Sequence, residues 1–329
     1  MEVNLIEIAK EIIEPGQLRR LDIPVSRLPT QTMLSLPVTV INGKQAGPKL
    51  WLSAAIHGDE LNGVEIIRQV IEQVQPEKLA GTLIAVPIVN LFGFIEQSRY
   101  LPDRRDLNRS FPGSETGSLA SRLANLFMRE IVKHSTHGID LHTAAIHRMN
   151  LPQIRANLED SETYCCAQAF NAPIMMHAIT RDGSLRQAAT NQGIPVLLYE
   201  GGEALRFEPY AIEVGVTGVL RVMQYLGMAQ FPQLPPPITS VEIRQSKWIR
   251  AFRGGIFHRE VSLGQQVEKK QPLGFITDAF GEDKSIIRAS VSGIVIGYNQ
   301  NPLVNQGDGM INLAIKDAYA INSFKTQPY

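Results

Sequence analysis

The chain has few cysteines and no net charge, and each of these absences argues against a class of protein. Only two of its 329 residues are cysteines. Cys165 and Cys166 are neighbours, so no disulfide framework is expected, and a reducing cytoplasm is the predicted location. Lys and Arg total 32, and Asp and Glu also total 32. This balance argues against the basic surface of a nucleic-acid-binding protein and against a polybasic membrane anchor.

Long apolar runs are also missing. No run approaches the roughly 20 apolar residues that a membrane-spanning helix needs. The N-terminal segment is acidic and lacks the basic region, followed by an apolar region, that is typical of a secretory signal. A hydrophobic content of 44% with 19% charged residues is typical of a globular protein. We therefore expect that the protein acts on a small molecule and binds neither nucleic acid nor a membrane. The sequence leaves open whether it forms a homo-oligomer.

Apolar runs and helical periods alternate over the first two thirds of the chain. Runs at 37–41, 50–56, 83–89, 138–142 and 195–200 predict buried strands, and stretches at 61–74, 118–134, 161–170, 184–192 and 208–228 predict helices. Residues 90–117 read as one long loop, a length that is often functional. The alternation predicts an α/β fold, a mixed sheet with helices on both faces.

The composition changes at the proline-rich segment 231–237, which predicts a stiff linker. Beyond it, short β-like runs are separated by turns that are rich in Gly, Asp and Asn, with no helical period. We therefore predict two domains, a catalytic domain at 1–235 and a small all-β domain at 240–320.

Three candidate metal ligands stand at the ends of two predicted strands. His57 and Glu60 directly follow one apolar strand, and His142 ends another. Since parallel strands deliver their carboxyl ends to one edge of a sheet, these side chains are expected to converge. Two histidines and one glutamate, with one open position, form a catalytic zinc pattern. Asp140, two residues before His142, is a candidate for orienting a ligand histidine.

A third strand end and an arginine-rich loop complete the predicted site. Glu200 closes an apolar strand and is followed by two glycines, and we predict that it is the general base for a metal-activated water. The loop 98–113 contains four arginines. An amide hydrolase needs cations where an oxyanion develops and where a substrate carboxylate docks.

Four of these motifs, in their order along the chain, resemble the succinylglutamate desuccinylase/aspartoacylase family, a branch of the zinc carboxypeptidase-like fold. The resemblance covers about residues 30–230 and rests on His57-Gly-Asp-Glu60, Asp106-Leu-Asn-Arg109, Asp140-Leu-His-Thr143 and Tyr199-Glu-Gly-Gly202. It implies one zinc ion per chain, held by His57, Glu60 and His142, with Glu200 as the base.

The resemblance also implies roles for residues that bind substrate. Asn108 and Arg109 match the pair that binds a substrate carboxylate. An arginine shortly before this pair polarises the scissile carbonyl in the family, and Arg99 is the candidate, with Arg105 as the alternative. Arg186 is either the family's second carboxylate-binding arginine or an ordinary helical arginine. A further candidate for the pocket, Arg155, has no firm counterpart.

The C-terminal segment resembles a lipoyl/biotinyl-like barrel-sandwich module. The carrying residues are Gly254-Gly255-Ile256, the spaced positions Val261, Gly264, Val267 and Gly274, then Ala289 and Gly293, and finally Gly307-Asp308. The sequence around Lys284 does not match the context of a modified carrier lysine. We expect a structural or oligomerising module that shapes the rim of the active site.

The sequence therefore predicts a zinc-dependent amidohydrolase that removes an acyl group, of acetyl or succinyl type, from an N-acyl amino acid. The alternative enzyme is a zinc carboxypeptidase that acts on small peptides with the same ligands. A third alternative is a degenerate fold that binds an acidic small molecule without hydrolysing it.

Overall fold

The computed structural model describes residues 4–315. These residues contain six α-helices: α1 (Asn62–Gln73), α2 (Leu91–Ile95), α3 (Leu119–Glu130), α4 (Ser161–Phe170), α5 (Leu185–Thr190) and α6 (Pro209–Tyr225). The strands up to the end of α6 are β1 (Ile6–Ile8), β2 (Glu11–Ile13), β3 (Gln17–Arg27), β4 (Met33–Asn42), β5 (Gln45–Ala54), β6 (Ala80–Val86), β7 (His137–Ala144), β8 (Arg148–Ala156), β9 (Ile174–His177) and β10 (Val196–Glu203). The strands after α6 are β11 (Val241–Ile243), β12 (Gln245–Arg250), β13 (Gly255–Arg259), β14 (Gln266–Val267), β15 (Pro272–Thr277), β16 (Ser285–Arg288), β17 (Gly293–Asn299), β18 (Leu303–Val304) and β19 (Gly309–Ile315).

The centre of the fold is a parallel run of four strands in the order β6-β5-β7-β10. β5 is buried on both faces, and alternate side chains serve two different cores. Leu50 and Leu52 join one apolar cluster with residues of α1, α4 and α6, whereas Trp51 joins another with residues of α3 and α5. This alternation is the two-residue period of a strand. Helices therefore cover both faces of the sheet, as the sequence predicted.

Antiparallel strands extend this parallel run on both sides. β4 and β3 follow β6 on one edge, and β8 pairs with β10 on the other. The C-terminal strands continue the same sheet, because β17 pairs with β8, β19 with β17, and β12 with β19. A separate four-stranded sheet, in the order β16-β15-β13-β18, packs within the C-terminal segment. The small all-β portion predicted from the sequence is therefore present.

The structure corrects the predicted long loop at 90–117. This stretch contains the short helix α2, whose first turn is capped by the Asn90 side chain, and a 3₁₀ turn at Leu107–Arg109. Residues 1–3 of the predicted first domain and 316–320 of the predicted second lie outside the described residues. Within the part of the chain that is described, no helix is long and apolar enough to cross a membrane.

Candidate active site

The candidate ligands and the candidate base converge at the carboxyl ends of the parallel strands. His57 lies three residues beyond β5, and His142 is within β7. Glu200 of β10 pairs in register with His142 of the neighbouring strand. All of these side chains line one cavity of about 280 Å³. The convergence follows from the parallel pairing of β5, β7 and β10, which places three strand ends at one edge.

His57, Glu60 and His142 form a compact, buried group with metal-ligating atoms. Nδ1 of His57 lies 2.7 Å from Oε1 of Glu60, and Nδ1 of His142 lies 2.7 Å from Oε2 of the same carboxylate. The three side chains are at most 6% exposed. Each offers one ligand atom, and the three atoms lie within 4.8 Å of one another. Two imidazole nitrogens and one carboxylate oxygen suit a zinc ion.

Two further carboxylates lie against the outer nitrogens of the imidazoles. Asp140 Oδ2 lies 2.8 Å from Nε2 of His142, and Ser53 donates a hydrogen bond of 2.8 Å to the other oxygen of Asp140. Asp106 Oδ1 lies 3.3 Å from Nε2 of His57. Such carboxylates fix the tautomer and the orientation of metal-ligating histidines. Asp140 was a candidate for this contact from the sequence, whereas Asp106 was not.

The charges within this group shift its protonation equilibria strongly. Burial alone would raise the pKa of Glu60, but the two adjacent imidazoles outweigh it and hold that pKa well below its usual value. Burial alone would lower the pKa of His142, but Asp140 and Glu60 together raise it well above its usual value. The carboxylate is therefore ionised, and without a metal the imidazole holds a proton that a metal ion must displace.

The turn that carries the first two ligands depends on a glycine. Gly58 packs against the backbone of α2, and a Cβ at this position would lie 2.0 Å from the carbonyl carbon of Gly93. Backbone this close cannot move aside as a flexible side chain would. The turn then closes with a hydrogen bond from the backbone N–H of Glu60 to the carbonyl of His57. Gly58 thus brings the turn close to α2 and orients both ligands toward His142.

Glu200 is held by a side chain from the adjacent antiparallel strand. Asn150 of β8 donates a hydrogen bond of 2.7 Å from Nδ2 to Oε2 of Glu200. Nη1 of Arg155 lies 3.8 Å from the other carboxylate oxygen. The Glu200 side chain is 20% exposed and faces the cavity. It is placed to exchange a proton with a water or a substrate in the cavity.

The cavity wall is rich in arginine. Within residues 4–315, six arginines line it, but only two carboxylates do, those of Glu60 and Glu200. The arginines are Arg99, Arg109, Arg148, Arg155, Arg181 and Arg186. Arginine presents a planar fork that matches a carboxylate. The excess of guanidinium groups over carboxylates favours an anion in this cavity.

Arg186 is the most deeply buried of these arginines. The residue is 6% exposed; its Nη2 donates a hydrogen bond of 2.9 Å to the carbonyl of Ile179, and its Nη1 is buried without a hydrogen-bond partner among the described residues. Burial, together with the neighbouring charge of Arg155, lowers the pKa of Arg186 to about 10. A buried guanidinium with unused donors is energetically costly, and a bound carboxylate would compensate it.

The structure separates the two arginines that were candidates for polarising the carbonyl. Arg99 lines the cavity, with Nη1 3.4 Å from Glu60 Oε1 and Nη2 3.0 Å from Asp106 Oδ2. Arg105 lies outside the cavity lining, is 62% exposed and contacts Asp103. Only Arg99 is therefore within reach of the metal-ligand group.

Asn108 and Arg109 also line the cavity, and their backbone forms the 3₁₀ turn after Asp106. The Asn108 side chain is fixed because its Oδ1 accepts a hydrogen bond of 2.9 Å from the backbone N–H of Leu185. Its amide nitrogen is therefore the group left for a ligand. Arg109 is exposed at the cavity mouth.

Sequence reasoning missed the part of the wall that comes from distant segments. Trp248 of β12 and Asn312 of β19 line the cavity and are paired in register. The Arg148 guanidinium lies 5.5 Å from the centre of the Trp248 ring. No motif marked these residues, because only the pairing of β17 with β8 brings the C-terminal strands to the site.

Comparison with known proteins agrees with this geometry. The profile of the succinylglutamate desuccinylase/aspartoacylase catalytic domain matches residues 46–226. The chain is 26% identical over 292 residues to the N-alpha-acetyl-L-2,4-diaminobutyric acid deacetylase of Halomonas elongata, covering 85% of each chain. It is 34% identical over 155 residues to the succinylglutamate desuccinylase of Pseudomonas aeruginosa, covering 43% of this chain and 45% of that one.

A solved structure shares the whole fold. The product-bound ectoine utilization protein EutE (DoeB) from Ruegeria pomeroyi superposes with a TM-score of 0.81 at 23% identity, covering 96% of this chain and 100% of that chain. The profile match spans more than half of the chain. The protein therefore belongs to the succinylglutamate desuccinylase/aspartoacylase family.

Proposed function

We propose that the protein is a zinc-dependent amidohydrolase that removes a short acyl group from an N-acyl amino acid. The observation that carries this proposal is the register of Glu200 with His142. This pairing sets a candidate base beside the His57-Glu60-His142 group, in a cavity that is rich in arginine. The two curated relatives, a deacetylase and a desuccinylase of N-acyl amino acids, support the reaction class.

His57, Glu60 and His142 would hold the metal ion. Their donor set and their burial suit zinc, and Asp140 and Asp106 lie against the outer ring nitrogens, as in known zinc sites. When bound, zinc would polarise the substrate carbonyl and lower the pKa of a bound water.

Glu200 would act as the proton carrier of the reaction. As a carboxylate it takes a proton from the attacking water, and it then gives this proton to the leaving amine. The hydrogen bond from Asn150 fixes the rotamer of this carboxylate and leaves its second oxygen toward the cavity. Arg99, whose Nη1 lies 3.4 Å from Oε1 of Glu60, would stabilise the negative charge that develops on the former carbonyl oxygen.

The remaining arginines would recognise the substrate through its carboxylate. Arg186 and Asn108 have buried donors at the cavity, and Arg109 and Arg155 are more exposed cations at its wall. A substrate with a free carboxylate therefore gains charge-assisted hydrogen bonds that an uncharged amide lacks. We infer that the substrate is an anionic N-acyl amino acid.

The size of the cavity favours this substrate over the peptide of a carboxypeptidase. Its volume is about 280 Å³, and Trp248 and Asn312 form part of its wall. We infer that the segment after residue 240 is a structural module that limits the length of the substrate. A small N-acyl amino acid fits behind such a wall more readily than a peptide.

The test combines metal analysis with a substrate panel. The panel contains N-acetyl and N-succinyl forms of aspartate, glutamate and 2,4-diaminobutyrate, together with short peptides, and release of the free amine is measured. We expect one catalytic zinc ion per chain and activity on at least one acyl amino acid. Glu200→Gln should retain that zinc and lose turnover by a factor of about 10³ or more. Full activity in this variant, or hydrolysis of peptides alone, would refute the assignment.

A further inference from the structure

A second group of metal-ligating side chains lies at the opposite end of β7 from the cavity. His137 begins β7, and Glu162 and Cys166 lie one turn apart on α4. Nε2 of His137 is 3.4 Å from Oε1 of Glu162, and Sγ of Cys166 is 3.7 Å from the same oxygen. One ligand atom from each residue lies within 4.8 Å of the other two. The group therefore brings three potential ligand atoms together, as the group in the cavity does.

The 3.4 Å separation between Nε2 of His137 and Oε1 of Glu162 suits a shared ion better than a direct hydrogen bond. A good N–H···O bond is about 2.7–3.2 Å long, so 3.4 Å between Nε2 and Oε1 is long for such a bond. Zinc bonds are about 2.0–2.1 Å to nitrogen, 2.0–2.2 Å to oxygen and 2.3 Å to sulfur. At tetrahedral angles, these lengths place N and O about 3.4 Å apart and O and S about 3.6 Å apart. The observed edges of 3.4 and 3.7 Å match this tetrahedron.

Hydrogen bonding prepares His137 as a ligand. Oγ1 of Thr136 lies 2.9 Å from Nδ1 of His137, and the same hydroxyl donates a hydrogen bond of 3.1 Å to the carbonyl of Lys49. Oγ1 can then accept a hydrogen bond from Nδ1–H, which leaves the lone pair of the ring on Nε2. Burial lowers the pKa of His137, which favours the neutral ring. A neutral ring whose Nε2 lone pair faces a carboxylate oxygen is an arrangement that a shared cation would stabilise.

We propose that His137, Glu162 and Cys166 form a second metal site, for Zn²⁺ or a similar borderline divalent ion such as Co²⁺. Mixed nitrogen, oxygen and sulfur donors select this class of ion. On binding, the Cys166 thiol loses its proton to solvent and becomes a thiolate, and solvent supplies the fourth ligand on the side of Glu162, which is 46% exposed. The ion would tie the first two turns of α4 to the first residue of β7. This site does not depend on the proposed catalytic reaction.

The affinity of this site depends on pH, because the Cys166 thiol must lose its proton when it binds a metal ion. In the metal-free protein, burial and the nearby Glu162 carboxylate raise the pKa of the Cys166 thiol to about 12. The ion must therefore displace a proton that is firmly held, and the affinity is expected to increase with pH. Cys165, the adjacent residue, is outside this group of ligands and provides a matched control.

Cobalt substitution in the full chain tests the proposal directly. A thiolate bound to Co²⁺ gives a near-ultraviolet charge-transfer band, and the cavity group contains no sulfur ligand, so the band reports only the second site. We expect two metal ions per chain and a clear band. Cys166→Ser and Glu162→Gln should each reduce the count to one and abolish the band, whereas Cys165→Ser should leave both unchanged. Because Glu162 is largely at the surface, its variant is expected to fold even if the cysteine variant does not.

Three results would overturn the second site. These are the absence of the band in the wild-type protein, a band that is lost in Cys165→Ser and kept in Cys166→Ser, and an unchanged metal count in Glu162→Gln. If the cavity site binds no metal, the count falls by one in every sample but the sulfur band remains. Failure of the second site and failure of the proposed function are therefore distinguishable.

Discussion

Arg186 should limit stability while it supports activity, and replacing it with methionine separates the two effects. The guanidinium is buried beside Arg155, with one hydrogen bond to the carbonyl of Ile179. Methionine retains a flexible apolar stem of similar length and removes the charge. The expected result is a protein that is more stable and less active than the wild type.

The size of the stability effect follows from the pKa. Burial and Arg155 lower the pKa of Arg186 from 12.5 to about 10, and each pKa unit corresponds to about 1.4 kcal/mol. Since about 10 is still above neutral pH, the group is charged in both the folded and the unfolded states at pH 7. The charge therefore costs the folded state about 3 kcal/mol. The lost hydrogen bond offsets about 1 kcal/mol, so Arg186→Met should gain about 2 kcal/mol and a few degrees in Tm.

The effect on activity has the opposite sign. Loss of a buried contact with the substrate carboxylate is expected to cost about 2–4 kcal/mol, or about 30- to 1,000-fold in kcat/KM. Thermal unfolding and steady-state kinetics measure the two effects on one sample. Arg186→Lys keeps a positive charge and should recover part of the activity. Arg181→Met, which removes an exposed arginine from the same cavity, should change Tm little. A methionine variant with lower Tm and full kcat/KM would refute the argument.

Two other features of the site give further predictions. Asn150→Ala removes the hydrogen bond to Glu200. Gly297→Ala places a Cβ 2.8 Å from the side-chain oxygen of Asn150 and should displace that side chain. Both variants should lower kcat about 10- to 100-fold with a small change in KM. Gly254→Ala, where a Cβ has no neighbour nearer than 3.4 Å, is the matched control, and equal loss there would contradict the positioning role of Asn150. The raised pKa of His142 means that metal binding must displace a proton, so titration calorimetry should show affinity for zinc increasing with pH. The same shift makes the metal-free protein most stable below the usual pKa of histidine. That stability is lost as the pH rises through the raised pKa. Affinity that is flat with pH would contradict the protonation of His142.

The strand ends of the parallel core could be predicted from the sequence because burial on both faces makes these strands nearly continuous apolar runs. β5 and β10 are of this kind, and the polar residues that follow them stand out. This contrast is why the sequence marks His57, Glu60 and Glu200 as candidate site residues. The strand pattern did not mark Asn108 and Arg109, which were assigned through their resemblance to a family motif.

The edge of the cavity could not be predicted in this way. β8 carries Asn150, Gln153 and Arg155 toward the site and contains Pro152, so its composition resembles a loop rather than a strand. Trp248 lies almost a hundred residues from β8 in sequence. Only the register of the sheet brings it to the cavity wall, and no local pattern encodes that register.

The same pairing predicts that the catalytic portion does not fold well alone. Leu151, Ile174 and Met176 of β8 and β9 share a buried apolar cluster with residues of β11, β17 and β19. A fragment of residues 1–235 would expose this cluster and the edges of β8 and β9, which favours aggregation. We therefore expect low soluble yield or a much lower Tm for the fragment. It would also lose the pairing of Gly297 with Asn150, which holds Asn150 beside Glu200. A fragment with native Tm and kcat would show that the C-terminal strands are dispensable for the site. The candidate metal ligands lie at the strand ends of the parallel core, whereas the orientation of Glu200 depends on the edge strand that the C-terminal segment covers.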